Sequence, residues 1–239
     1  MACAFVAIAV LPLGTSAADA LLSQWISSVD QAHVEKYRRP QARSGSLLGH
    51  VALRALIALQ TGERLWEFHP DSTGKLRANT PITGETAEVS LAHSRNMIAC
   101  AVSKSGPVGI DIEAHRPRNY AAIARYGFGP EERAMVAHGG PAAFYRIWTL
   151  REAMGKATGE GLALATDGRD RVSARPDEGC WVSHEGSSQA WRLAHHFIEE
   201  GYSLGIALPG FDSSWRKDSI EWVNLSDGTK SSLPTIPRG

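Results

Sequence analysis

The sequence predicts an α+β fold of two similar subdomains related by a pseudo-twofold, each a small antiparallel sheet packed with helices. Three observations carry that expectation. Apolar residues recur at helical spacing in "SAADALLSQWISSVDQAHVEKYRR", "SGSLLGHVALRALIALQTG" and "PAAFYRIWTLREAMGKATGEG". Between the helices lie short strand-like runs bounded by turn residues, such as "AEVSLAHS" and "NMIACAVS" around "SRN". A helix pair followed by strands occurs once in each half, and the halves meet near Ser103 to Gly106.

In chain order, Ala4 to Leu11 reads as a buried strand. Two helices follow, the second ended by Gly62. "LWEFH" and the turn "PDSTGK" come next, and then Val89 to Glu113 as an antiparallel meander. "GPEERAMVAH" starts a helix at Pro130 with acids in its first turn. A second helix runs from Pro141 to Thr158 and ends at Gly159. Residues 163–190 read mostly as loop, and "AWRLAHHFIEEGYSLGIALPG" as a hairpin. The expected division is 1–104, 105–210 and a polar tail over 211–239.

The chain has 239 residues, 43% of them apolar and 21% charged, which is ordinary globular composition. Its net charge of zero argues against a nucleic-acid partner, which would need a basic excess. Cys3, Cys100 and Cys180 make neither a zinc pattern nor a disulfide framework. A reducing, cytoplasmic setting is the simplest fit. The N-terminal "MACAFVAIAVLPLGTSAADA" looks like a signal peptide, but no Lys or Arg precedes its apolar run. That run is also too short to span a bilayer, and no other segment approaches the length, so no membrane partner is expected.

"VGIDIE" poses the functional question. As a strand it puts Val108, Ile110 and Ile112 on one face and Gly109, Asp111 and Glu113 on the other. Two carboxylates on one face repel, and are tolerable in water or around a cation. On the helix from Pro141 to Thr158, Phe144, Ile147, Trp148, Leu150 and Met154 fall on one broad arc. Tyr145, Thr149, Glu152 and Lys156 share a polar stripe beside it. Glu152 and Lys156 could be an i,i+4 surface pair, and Asp111 and Glu113 a solvated strand face. Taken together, three carboxylates make an oxygen cage suited to Mg²⁺, and a nearby lysine suits a phosphate.

"VGIDIE" followed by "WTLREAMGK" resembles the paired signature of the 4′-phosphopantetheinyl transferases, roughly V-G-I/V-D-I/V-E and W-S/T-x-K-E-A-x-x-K. "VSLAHSRNMIACAVS" is similar to that family's F-N-x-S-H-S strand and hairpin, and "STGKL" to its G-K-P turn. "EKYRR" and "SLLGHVALR" look like its N-terminal helices. The resemblance runs in order from about residue 30 to 208. The length fits the surfactin-synthetase-activator type, a monomer of two similar halves.

The resemblance implies the family's fold and its reaction. Phosphopantetheine moves from coenzyme A to a serine of an apo acyl or peptidyl carrier protein, releasing adenosine 3′,5′-bisphosphate. Asp111, Glu113 and Glu152 would hold Mg²⁺, or Mn²⁺ in its place, on the pyrophosphate. Glu152 would also be the base, directly or through water, and Lys156 would contact the pyrophosphate. His93 would contact the 3′-phosphate, with Ser94 beside it in the motif. Gly74 and Lys75 would lie by the adenine nucleotide, and Lys36 and Ser46 match phosphate-binding positions. The sequence also departs from the pattern. Ala92 replaces a serine, Arg151 a lysine and Leu76 a proline. Gly45 stands where an arginine often does, a role that falls to Arg43 here. Two rival readings share these residues: a Mg²⁺-dependent nuclease or phosphodiesterase, and a non-catalytic carrier-binding module. The four-residue gap from Glu152 to Lys156 misfits the D…D/E-x-K nuclease pattern. Retention of all three acids with Lys156 disfavours the binding module.

Overall fold

The structure, a computed structural model, describes residues 6–27, 30–32, 35, 38, 40–104, 106–175, 180–183, 191–198, 201–210 and 220–231. The chain divides into two compact units. One comprises Met1–Ser105 with Asp218–Gly239, and the other Gly106–Lys217. Among the described residues no helix is long and apolar enough to cross a membrane.

The first unit starts with strand β1 (Val6–Pro12), whose Val6 to Leu11 are buried without alternation. An apolar run of this kind asks for cover on both faces and partners on both edges. β1 has both partners: β5 (Met97–Ser103) antiparallel on one side and β11 (Ile220–Val223) parallel on the other. Helix α1 (Ser16–Trp25) begins at Thr15, whose hydroxyl accepts from the Ala18 N–H at 3.2 Å. Helix α2 (Pro40–Thr61) buries Leu48, Val51, Ala52, Ala55 and Leu56 in one core with Ala7, Leu11, Ile98 and Val102. β2 (Glu67–Pro70), β3 (Leu76–Asn79) and β4 (Thr86–Ser94) extend the sheet antiparallel, and β12 (Lys230–Ser231) closes its far edge. The order is β12-β11-β1-β5-β4-β3-β2.

In the second unit β6 (Gly109–Ala114), β10 (Tyr202–Pro209), β9 (Trp191–Ile198), β8 (Cys180–Ser183) and β7 (Val172–Arg175) form an antiparallel sheet in that order. Helix α3 (Tyr120–Gly127) precedes the long helix α4 (Pro130–Thr158). Gly140, at φ 59 and ψ −144, breaks α4 where the sequence separates two helices at Pro141. Its second half ends in left-handed Gly159, and a short helix α5 (Leu162–Ala165) follows. Phe144, Ile147, Leu150 and Met154 pack on Leu193 and Ala207.

Three expectations are corrected. The meander from Val89 to Glu113 stops at β5, because β1 already pairs with the edge of β5 that a third strand would need. β6 joins β10 instead. The segment 163–190, read as mostly loop, supplies most of α5 and the β7–β8 pair, while 176–179 and 184–190 lie outside the described residues. The tail expected over 211–239 contains β11, whose Ile220, Trp222 and Val223 are buried beside β1. Its apolar run is short and set among polar residues, so its burial depends on a partner more than 200 positions earlier in the chain.

The seat of α4 depends on two glycines. A Cβ on Gly109 would lie 1.8 Å from the Ala153 carbonyl oxygen, and one on Gly205 would lie 2.3 Å from that of Thr149. Helix backbone therefore lies directly on β6 and β10. Gly109→Ala and Gly205→Ala should each cost about 3 kcal/mol or more, because neither strand nor helix can move alone. Thermal and urea melts read this, and native-like stability in either variant would remove the close-packing account.

Candidate active site

The second unit carries four of the residues singled out in the sequence. Asp111 and Glu113 alternate along β6 on the face that α4 covers, beginning at Gly109. Glu152 and Lys156 lie on the stretch of α4 that crosses this face. The Lys156 ammonium donates to Asp111 Oδ1 at 2.9 Å and to the Ile110 carbonyl at 3.1 Å. No ion pair among the described residues joins Lys156 to Glu152, so the i,i+4 surface pair is not what holds this lysine. Asp111 is only 7% exposed, which rules out a solvated strand face at that position.

The electrostatics are those of a buried carboxylate with two half-buried ones in its field. Burial pushes Asp111 up to about 7; Lys156 opposes this, and Glu152 and Glu113 add to it. Burial also raises Glu152, again against Lys156 and with Glu113. Asp111 Oδ2 is buried and has no hydrogen-bond partner among the described residues. Among the described residues no three His, Cys, Asp or Glu side chains are already gathered as a metal cage. The donor set nevertheless fits a hard cation, because all three acids present oxygen and one buried oxygen is unsatisfied.

The stripe beside the core arc is more buried than its polarity suggests. Tyr145 and Thr149 are both fully buried. The Tyr145 hydroxyl donates to the Arg116 carbonyl and accepts from the Arg116 N–H. Its ring stacks on His115 at 4.4 Å, and His115 Nε2 lies 2.9 Å from Ser203 Oγ. Ser203 sits opposite Glu113, and Gly205 opposite Asp111, in the β6–β10 register. Sequence reading missed these neighbours. The one available signal was a glycine inside the apolar run "YSLGIALP", which marks a close backbone approach.

Arg151 has a structural role. It is fully buried and donates to Glu132 Oε2 at 2.6 Å and Asp167 Oδ1 at 2.9 Å. It also donates to the carbonyls of Gly127, Leu164, Ala165 and Arg169. One guanidinium thus ties the end of α3, α5 and the loop after it to α4.

The first unit carries the other candidates. His93 lies on β4 against α2, where a Cβ on Gly45 would come within 3.3 Å of its ring. A side chain at position 45 would require that imidazole to give by a few tenths of an ångström. Arg43 is exposed and Ser46 half-buried on α2, and Ser94 ends β4. Ala92 is buried, so the missing hydroxyl is one the sheet would have covered. Lys75 is also buried, and its ammonium lies 2.9 Å from Glu88 Oε2. Burial and nearby Arg77 lower it to about 8, with Asp71 opposing. The Gly74–Lys75 turn does not need proline at position 76, because the Asp71 carboxylate accepts from the Thr73 N–H, the Thr73 hydroxyl and the Lys75 N–H. Lys36 lies outside the described residues.

A model of the 4′-phosphopantetheinyl transferase superfamily matches residues 107–207, the stretch that holds β6 and α4. Over that stretch the chain matches that superfamily, and its similarity to curated members extends over most of its length. It is 28% identical to 4′-phosphopantetheinyl transferase HetI of Nostoc sp. over 80% of this chain and 81% of that one. It is 26% identical to 4′-phosphopantetheinyl transferase Sfp of Bacillus subtilis over 79% and 86%. A 74-residue stretch is 43% identical to 4′-phosphopantetheinyl transferase AcpT of Salmonella typhi, over 29% and 38%. The superfamily is one of enzymes, and this chain is a transferase of that class.

Two outcomes follow from the buried charges. Arg151→Lys keeps the charge but cannot reach six acceptors, and should cost on the order of 3 kcal/mol in a thermal melt. A melting point within a degree of the parent's would contradict the hub. Asp111 ionises near pH 7 in the folded chain against 3.8 when unfolded. Between those values the folded state keeps a proton that the unfolded state has lost, so stability falls as pH rises through the window and stays lower above it. In chelator, Asp111→Asn should therefore raise the melting temperature at pH 8 and change it little at pH 4. Equal shifts at the two pH values would refute a protonated Asp111.

Proposed function

We propose that the chain transfers 4′-phosphopantetheine from coenzyme A to a serine hydroxyl of an apo acyl or peptidyl carrier protein, with a divalent cation, Mg²⁺ or Mn²⁺, and acts as a cytoplasmic monomer. The observation that carries this reading is the buried Asp111, with one oxygen bonded to Lys156, the other unsatisfied, and Glu113 and Glu152 in its field. Family membership supports the transferred group, and the unsatisfied oxygen supports the cation.

The reaction is a phosphoryl transfer. The serine oxygen bonds to the phosphorus that carries pantetheine, and the bond from that phosphorus to the pyrophosphate bridging oxygen breaks. The leaving group is adenosine 3′,5′-bisphosphate. A cation held by Asp111, Glu113 and Glu152 would neutralise the pyrophosphate oxygens. Lys156 releases Asp111 and turns its ammonium to the same phosphates. Glu152, its pKa raised by burial, takes the serine proton directly or through one water. Arg43, Ser46, Lys75 and His93 bind the adenosine phosphates, with Gly74 and Ser94 shaping their turns and Lys36 contributing from outside the described residues.

The test is incubation with coenzyme A, Mg²⁺ and a panel of apo carriers, read by intact mass, beside melts of the same preparations. Glu152→Gln should lose on the order of 10²–10³ in rate while its melting point holds or rises, because a like charge beside Asp111 is removed. Normal turnover in that variant, or in Asp111→Ala at limiting Mg²⁺, would sink the reading.

A further inference from the structure

The first unit contains a cleft of about 910 Å³ at the tip of the β4–β5 hairpin. His93, Arg95 and Asn96 line it from the hairpin, Ser44 and Leu48 from α2, and Asp19 from α1. Ser94 pairs with Met97, so β4 and β5 are joined by the two residues Arg95 and Asn96 alone. Arg95 has φ 52, and it is the one non-glycine residue with positive φ among those described. A left-handed backbone is unfavourable for an L residue, and turns of this length favour glycine or asparagine at such a place.

Among the described residues nothing in the fold uses an arginine here. Arg95 is exposed, and among the described residues no side chain or carbonyl accepts from its guanidinium. Among the described residues no ion pair joins it to Asp19, the one carboxylate among the residues lining the cleft. What the position does provide is a planar five-donor fork two residues from His93, opening into the same cleft. A fork of that kind grips a phosphomonoester through two parallel bonds, which an imidazole cannot do alone.

We propose that Arg95 is a specificity-determining residue that, together with His93, reads the 3′-phosphate of coenzyme A; this rests on the coenzyme A reading above. The pair distinguishes a terminal phosphomonoester from a hydroxyl, and so coenzyme A from dephospho-coenzyme A. The strained turn is retained because it aims the guanidinium at that group.

The experiment measures binding of adenosine 3′,5′-bisphosphate and adenosine 5′-monophosphate to the full chain by calorimetry, for the parent, Arg95→Ala, Arg95→Lys and Arg95→Gly, with a melt of each. The parent should prefer the bisphosphate. The alanine and glycine variants should lose about tenfold in affinity for the bisphosphate and far less for the monophosphate, as expected for one charged hydrogen-bonded contact. Lysine should recover part of the loss. Arg95→Gly should melt no lower than the parent, since it relieves the turn. An alanine variant that keeps the parent's preference, or a parent without one, overturns the proposal. Transfer assays on the same preparations separate the two readings. A parent that transfers nothing from coenzyme A overturns the coenzyme A reading together with this one. An active parent whose alanine variant still prefers coenzyme A to dephospho-coenzyme A overturns the role of Arg95 alone.

Discussion

The contact on which the second unit depends is backbone against backbone: α4 resting on Gly109 and Gly205. With any side chain at either position the helix would stand off from the sheet. Lys156 would then no longer reach Asp111 Oδ1 at 2.9 Å, and Asp111 would no longer be closed from water. Close packing therefore comes before the electrostatics. It creates the low-dielectric setting in which a carboxylate is held as an acid near neutral pH and in which a cation or a phosphate would be felt most strongly.

The same helix is locked from its other side. Arg151 precedes Glu152 directly, and its guanidinium is spent on Glu132, Asp167 and four backbone carbonyls. Arg151 and Glu152 thus point into different surroundings, one entirely satisfied and one crowded by like charge. A buried arginine of this kind gives little net stability over an apolar residue, but it fixes which carbonyls face the helix and so its rotation. The rotation in turn decides which residues of α4 look onto β6.

The two halves of the chain divide the chemistry unevenly. The acids lie on regular structure, a strand and a helix, where their spacing is rigid. Most of the basic candidates lie at the start of α2, in the turn at Gly74 and on the β4–β5 hairpin. Lys75 is already engaged by Glu88, whereas the guanidinium of Arg95 makes no bond among the described residues.

The sequence by itself determined the elements whose signal is local. Examples are the apolar run of β1, the amphipathic α2 and α4 with their glycine ends, the hairpin of β9 and β10, and the acidic strand with its partner stripe. Periodicity of 2 or 3.6 residues is written in neighbouring letters. Only the tertiary structure decided where the edges went. β6 pairs with β10 because β1 fills the place beside β5, and Ile220 to Val223 become a strand because β1 has a second free edge. Backbone hydrogen bonds between strands carry no side-chain code, so competition for an edge cannot be read from the segments that compete. The partner of Lys156 was settled in the same way. Glu152 was the nearer candidate along the chain, and Asp111 is the nearer one in space, because two absent side chains let the helix come down on the strand.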